Sequence, residues 1–115
     1  MRKPVVYISG PISGFAKYWV PFENAEGKLN EAGYAPINPA ALADGMSKRQ
    51  YMSINLASLL SADTVLMLPS YSSSMGALIE RDLAKYCGIP VFDDIKSLID
   101  SPEMIIRRLL SCTME

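Results

Sequence analysis

The chain has no histidine. A serine–histidine–aspartate triad, a cysteine–histidine pair and a histidine general base are therefore all excluded. Only two cysteines are present, Cys87 and Cys112, and they form no spaced motif. Without histidine they cannot build a usual zinc site, so no metal is expected. Unpaired cysteines fit a reduced, cytoplasmic setting. No apolar run approaches the about 20 residues that span a bilayer, so no membrane partner is expected. The opening Met1-Arg2-Lys3-Pro4 leads directly into a strand-like segment, and no signal peptide is expected. Net charge is −1 and the basic residues are not clustered, which argues against duplex nucleic acid as a partner. Neither a Walker loop nor a Gly-x-Gly-x-x-Gly fingerprint occurs, so nucleoside triphosphate and dinucleotide binding lack their motifs, and no cofactor is expected. Chemistry must run on carboxylates, hydroxyls, tyrosine, lysine or arginine.

What is present is a chain of 115 residues, 50% hydrophobic and 20% charged, without repeats or linker-like stretches. This composition describes a single globular domain over residues 1–115. Pro4-Val5-Val6-Tyr7-Ile8-Ser9 reads as a buried strand, followed by the turn-rich Gly10-Pro11-Ile12-Ser13-Gly14. Residues 21–32 read as a helix with Pro21 in its first turn, a core stripe of Phe22, Ala25, Leu29 and Ala32, and Gly33 at its end. Tyr34-Ala35-Pro36-Ile37 is a short strand, placed at a sheet edge because Pro36 cannot donate to a ladder. After the loop from Asn38 to Gly45, Ser47-Lys48-Arg49-Gln50 has the form of a capping box. It opens a helix over 48–61 with an inward stripe of Tyr51, Met52, Asn55, Leu59 and Ala62. A central strand follows at 64–68, then a loop, then a helix over 75–87 capped by Gly88. Ile89-Pro90-Val91-Phe92 is another strand, and Ser101 caps a last helix over 102–111 with Pro102 at its first position. This strand–helix alternation predicts an α/β fold: a doubly wound parallel sheet of four to five strands with helices on both faces. Ligands of such sheets bind beyond the carboxyl ends of the strands. Those ends fall at Ser9–Gly14, Asn38–Gly45 and Pro69–Gly76, all rich in Gly, Pro, Ser or Asn.

Glu80 stands out against this frame. At about 100° per residue it shares a helix face with Gly76, Ala77, Leu83, Ala84 and Cys87, a small apolar face that should pack on the sheet. A charge buried there costs several kcal/mol, in order of magnitude, unless it is partnered or neutralised. It marks either a site or a surface glutamate bonded to a nearby amide. Ser72-Ser73-Ser74-Met75-Gly76 lies where the same helix begins. Phosphate or a sugar hydroxyl would suit that turn, and so would a plain N-cap at Ser74. The glycines of Gly10–Gly14 allow close backbone approach to a ligand, or simply a tight turn. Tyr7 and Asn55 are polar residues on inward stripes, where satisfied core residues are the ordinary finding. Tyr18, Trp19 and Phe22 form either a base-stacking wall or core. The convergence of these residues at one sheet edge is the stronger signal.

Taken together, several motifs carry a resemblance: Tyr7-Ile8-Ser9-Gly10-Pro11-Ile12-Ser13-Gly14, Phe22-x-x-Ala25-Glu26-x-x-Leu29-x-x-x-Gly33-Tyr34, Asn38-Pro39, Tyr51-Met52, Ala62-Asp63, Leu68-Pro69 and Ser74-x-Gly76-Ala77-x-x-Glu80. Over residues 5–92 the chain resembles a group of small uncharacterised proteins of phages and prophages (DUF4406-like). The group falls within the superfamily of nucleoside 2-deoxyribosyltransferases and 2'-deoxynucleoside 5'-monophosphate N-glycosidases. The resemblance implies a flavodoxin-like sheet and cleavage of an N-glycosidic bond through a covalent deoxyribosyl intermediate on Glu80. It implies that Tyr7 hydrogen-bonds the nucleophile, and that Ser74 and Gly76 hold a 5'-phosphate. Ser9, Gly10, Pro11, Ser13 and Gly14 are the further substrate-binding residues it implies. Asn55 departs from the pattern, because the enzymes carry an aspartate there that helps protonate the departing base. Asparagine cannot transfer a proton at neutral pH. Two functions follow as expectations: base release or transfer on deoxynucleotides or deoxynucleosides, and nucleotide binding or sensing without turnover. The resemblance also implies a homo-oligomer, a dimer or higher.

Overall fold

The computed structural model describes residues 2–113. Four strands, β1 (Val5–Ser9), β2 (Ala35–Ile37), β3 (Thr64–Met67) and β4 (Val91–Phe92), form one sheet in the order β2-β1-β3-β4. All three pairings are parallel, with Tyr7 opposite both Ile37 and Val65. Five helices connect and flank them: α1 (Trp19–Glu31), α2 (Lys48–Leu60), α3 (Met75–Tyr86), α4 (Ile95–Asp100) and α5 (Pro102–Thr113). The fold is α/β with a parallel sheet, as the alternation of elements predicts, and flavodoxin-like, as the resemblance implies.

Handedness decides which helix covers which face. From β1 the chain moves outward through α1 to β2, then back past β1 through α2 to β3, and onward through α3 to β4. Right-handed crossovers in opposite directions place their helices on opposite faces. Val6, Ile8, Leu66 and Leu68 accordingly pack with Phe22, Leu29, Leu98 and Met104 of α1, α4 and α5. Tyr7, Val65 and Met67 pack on the other side with Leu59, Ala77 and Ala84 of α2 and α3. Because strand side chains alternate, Tyr7 and Ser9 share the α2–α3 face. The central strands β1 and β3 are buried on both faces, which is why they read as nearly continuous apolar runs, whereas the edge strands β2 and β4 are only partly buried.

Local signals set most boundaries. Ser47 and Gln50 form the predicted capping box at α2, each side chain bonding the other's backbone N–H. Ser74 caps α3 by accepting from the Ala77 N–H at 3.2 Å. Pro36 does lie in an edge strand. The expected strand over 89–92 shortens to Val91–Phe92 because Pro90 has no N–H to pair; its carbonyl still accepts from Val65 N and Thr64 Oγ1. Helix α4 was not expected from the sequence. It is only six residues long, and its signal is Asp94, whose carboxylate accepts from both the N–H and the hydroxyl of Ser97. Helix α5 docks through Arg108, which donates to the Ala32 carbonyl at 2.8 Å and lies over the Tyr34 ring.

Two readings of helix faces need correction. Of the expected inward stripe on α2, only Leu59 is fully buried, because the N-terminal half of the helix borders an open cleft. Cys87, placed by the helical wheel on the inward face of α3, is exposed, since it closes the helix as its C-cap beyond the last regular turn.

Two glycines give opposite expectations. A Cβ on Gly10 would sit 2.9 Å from Leu68 Cβ and 3.1 Å from its Cδ1. Gly10→Ala should therefore destabilise the fold by about 1–3 kcal/mol through overpacking. Gly27 is exposed within α1 and has open space around it. Gly27→Ala should stabilise by about 0.5–1 kcal/mol through helix propensity. Urea unfolding of both variants checks the pair, and equal midpoints would contradict it.

Candidate active site

At the carboxyl ends of β1 and β3, where the strand order reverses, lies a cleft of about 650 Å³. This is the switch point of a doubly wound sheet. Glu80 lies at its floor, 6% exposed, on the face of α3 that also buries Ala77 and Ala84. These small side chains leave little between the helix and the sheet, so the carboxylate reaches β1. Tyr7 donates its hydroxyl to Glu80 Oε2 at 2.9 Å, and Ser9 donates its hydroxyl to Oε1 at 2.6 Å. Each carboxylate oxygen thus has one donor and keeps lone-pair capacity toward the cleft. Among the described residues no cation pairs with Glu80.

Burial is the largest influence on Glu80 and raises its pKa above the ordinary carboxylate value; the Ser9 and Tyr7 hydrogen bonds pull in the other direction without cancelling it. Tyr7 is also pushed strongly upward, first by burial, then by the Glu80 charge and by its hydrogen bond to that carboxylate. The phenol therefore stays protonated and remains a donor.

Glu80, Tyr7, Asn55, Gly10, Ser13, Ser74 and Gly76 all line the cleft. Ser9 lies behind the floor, fully buried, with its hydroxyl spent on Glu80. Pro11 and Gly14 are not among the lining residues; Gly14 is exposed at φ +81° and shapes the turn. The aromatic trio separates: Tyr18 lines the cleft, Phe22 is core, and Trp19 is partly exposed, edge-on to Tyr18. Gly76 is not demanded by packing. An added Cβ would meet Met52 Cε at 3.7 Å and Ser74 Oγ at 3.9 Å, both ordinary contacts.

Sequence reasoning passed over Asp44 and Lys48 as site residues, although both line the cleft. The signal for Asp44 was its place in the loop after β2. That loop is held by Tyr51, whose hydroxyl donates to the Ala43 carbonyl at 2.7 Å and accepts from Met46 N at 3.4 Å. No group of acidic, cysteine or histidine side chains among the described residues could hold a metal ion. No helix among them is long and apolar enough to cross a membrane.

The parallel α/β architecture recurs in a solved structure. The 2-deoxyribosyltransferase of the psychrotolerant bacterium Bacillus psychrosaccharolyticus, a biocatalyst for the synthesis of antiviral and antitumoral nucleosides, superposes with a TM-score of 0.68. The match covers 90% of this chain and 96% of that one, at 14% sequence identity, and shows a common fold. The chain itself belongs to the family described as a domain of unknown function, DUF4406, whose pattern matches residues 4–93. No curated protein matches the sequence.

The raised pKa of Glu80 has a consequence for stability. Where the folded pKa exceeds the unfolded one, the native state holds the extra proton. The associated stability is present at low pH and is lost as pH rises through the folded value. Glu80→Gln removes an ionisable group that is unfavourable when charged. The variant should melt above wild type at pH 7–8, with the gap closing as pH falls toward 4. Melting curves across that range check this, and a variant less stable at every pH would contradict it.

Proposed function

We propose that the protein cleaves the N-glycosidic bond of 2'-deoxynucleotides, or transfers the deoxyribosyl group between bases, with Glu80 as nucleophile. The observation that carries this reading is the buried carboxylate held on both oxygens by Tyr7 and Ser9 at the floor of the cleft. A carboxylate fixed in this way suits attack on an anomeric carbon of oxocarbenium character. A Glu80 oxygen forms a bond to C1' as the C1'–N bond breaks, and the base leaves with the bonding pair. Water or a second base then attacks C1', the ester bond breaks, and the Glu80 carboxylate is restored. When water is the acceptor, its hydroxyl stays on the sugar and its proton is released. Tyr7 and Ser9 hold the carboxylate in position throughout. The Ser74 hydroxyl accepts from Ala77 N and keeps its own proton to donate to a phosphate oxygen. The missing Cβ of Gly76 leaves room for that group to approach. The shared fold with a 2-deoxyribosyltransferase supports the same assignment.

Asn55 favours a second reading, a nucleotide-binding module without turnover. It lines the cleft but cannot protonate a leaving base. In the enzymatic reading that proton comes from solvent through the open cleft, and turnover is slow.

Base release from a panel of deoxynucleosides and their monophosphates, followed by chromatography, separates the readings. Glu80→Gln should abolish release while preserving ligand-induced thermal shifts. Asn55→Asp should accelerate release by up to about 10²-fold, since general acid help is typically worth about 10²–10⁴-fold. Wild type that is stabilised by a deoxynucleotide yet releases no base from any substrate would favour the binding module.

The same reading includes a homo-oligomer. Met75, Ile79 and Tyr86 lie in line on the outer side of α3, at 73%, 44% and 90% exposure, and two of them also border the cleft. An apolar stripe of this kind suits burial against a second copy. Light scattering should give a dimer or higher, and Tyr86→Lys should shift it toward monomer. A wild-type monomer at working concentrations would reject the assembly.

A further inference from the structure

Lys48 is the one cationic side chain among the residues lining the cleft. It opens α2 and is exposed. Neither a hydrogen bond nor an ion pair occupies its ammonium among the described residues, although Asp44 lines the same cleft. Nor is it the counterion of Glu80, whose two oxygens take the hydroxyls of Tyr7 and Ser9.

Its position follows from the helices. Both α2 and α3 follow parallel strands on one face of the sheet, so their N-terminal ends stand together above the strand ends. Met52 reaches Gly76 across the gap, its Cε 3.7 Å from where a Cβ would be. Lys48 lies four residues before Met52, one turn further up the same face of α2. Its flexible stem therefore lines the same cleft as the Ser74–Gly76 turn.

Charge gives the reason for a cation at this place. The other charged residues of the cleft, Asp44 and Glu80, are acids. A phosphate entering between them meets like charge unless a cation offsets it, whereas a neutral 5'-hydroxyl has no such need. We propose that Lys48 selects phosphorylated ligands, its ammonium pairing with the 5'-phosphate of a deoxynucleotide held at Ser74 and Gly76. This rests on reading the cleft as a deoxynucleotide site, and it makes Lys48 the residue that separates monophosphates from nucleosides.

The test compares wild type, Lys48→Met and Lys48→Arg by calorimetric titration. The first ligand pair is 2-deoxyribose 5-phosphate and 2-deoxyribose, which have no glycosidic bond and so report binding independently of turnover. The second pair, titrated in a Glu80→Gln background, is each deoxynucleoside monophosphate and its matched nucleoside. Wild type and Lys48→Arg should prefer the phosphorylated member, more weakly as salt rises. Lys48→Met, which keeps most of the stem and loses the charge, should bind phosphorylated ligands about tenfold or more weakly, as for a charge-assisted hydrogen bond. Its preference over the unphosphorylated partner should collapse. Unchanged preference in Lys48→Met would overturn the role of Lys48 and leave the deoxynucleotide reading standing. An equal loss on both members of a pair would also overturn it, because the contact would then not be to phosphate. Wild type that binds no phosphorylated ligand would overturn both. Binding with the expected preference but without base release would remove catalysis alone.

Discussion

A carboxylate taken out of water must find donors, and the rest of this site is arranged around that requirement. Glu80 is buried on the α3 face that also buries Ala77 and Ala84, and among the described residues no cation pairs with it. Its two hydrogen bonds come from residues more than seventy positions earlier in the chain, Tyr7 and Ser9. Both are on β1, two residues apart, so the pleat sends both side chains to one face. The pairing of β1 with β3, and the return of the chain through α3, then bring the carboxylate to that face. Without partners, the buried charge would cost several kcal/mol in order of magnitude. The two hydroxyl donors offset part of that cost, while burial still holds the Glu80 pKa above the ordinary carboxylate value.

The cleft above Glu80 is a product of topology. Because the chain leaves β1 in one direction and passes it in the other, the loops after β1 and β3 diverge and leave a gap between them. The upper half of α2 borders this gap, so Tyr51, Met52 and Asn55 meet open space where a helix lower on the sheet would meet core. Tyr51 uses its hydroxyl to hold the loop that carries Asp44, which gives that side of the cleft a defined shape.

Much of this was legible in the sequence. The apolar runs of β1 and β3, the edge position forced by Pro36, the capping box at Ser47 and the N-cap at Ser74 are local features, and local physics decides them. Glu80 declared itself by sitting on the wrong face of an apolar helix. Other features were not legible. The six-residue α4 gives too few turns for periodicity to register. The wheel placed Cys87 inward because it assumes a helix that continues, and this one ends at Tyr86. Ser9 gave no sign that its hydroxyl would be spent on Glu80, because nothing in the sequence states which helix returns over which strand.

The sequence alone determined the order of every element but α4, most of their limits, the parallel α/β class and the identity of a carboxylate out of place. These depend on side-chain periodicity, on turn residues and on the backbone restrictions of proline and glycine. Only the tertiary structure decided that Ser9 joins Tyr7 in holding Glu80, that Asn55, Lys48 and Asp44 face the same space, and that Pro11 and Gly14 are not among its lining residues. Such relations depend on crossover handedness and on helix position along the sheet, which bring together residues that no local pattern connects.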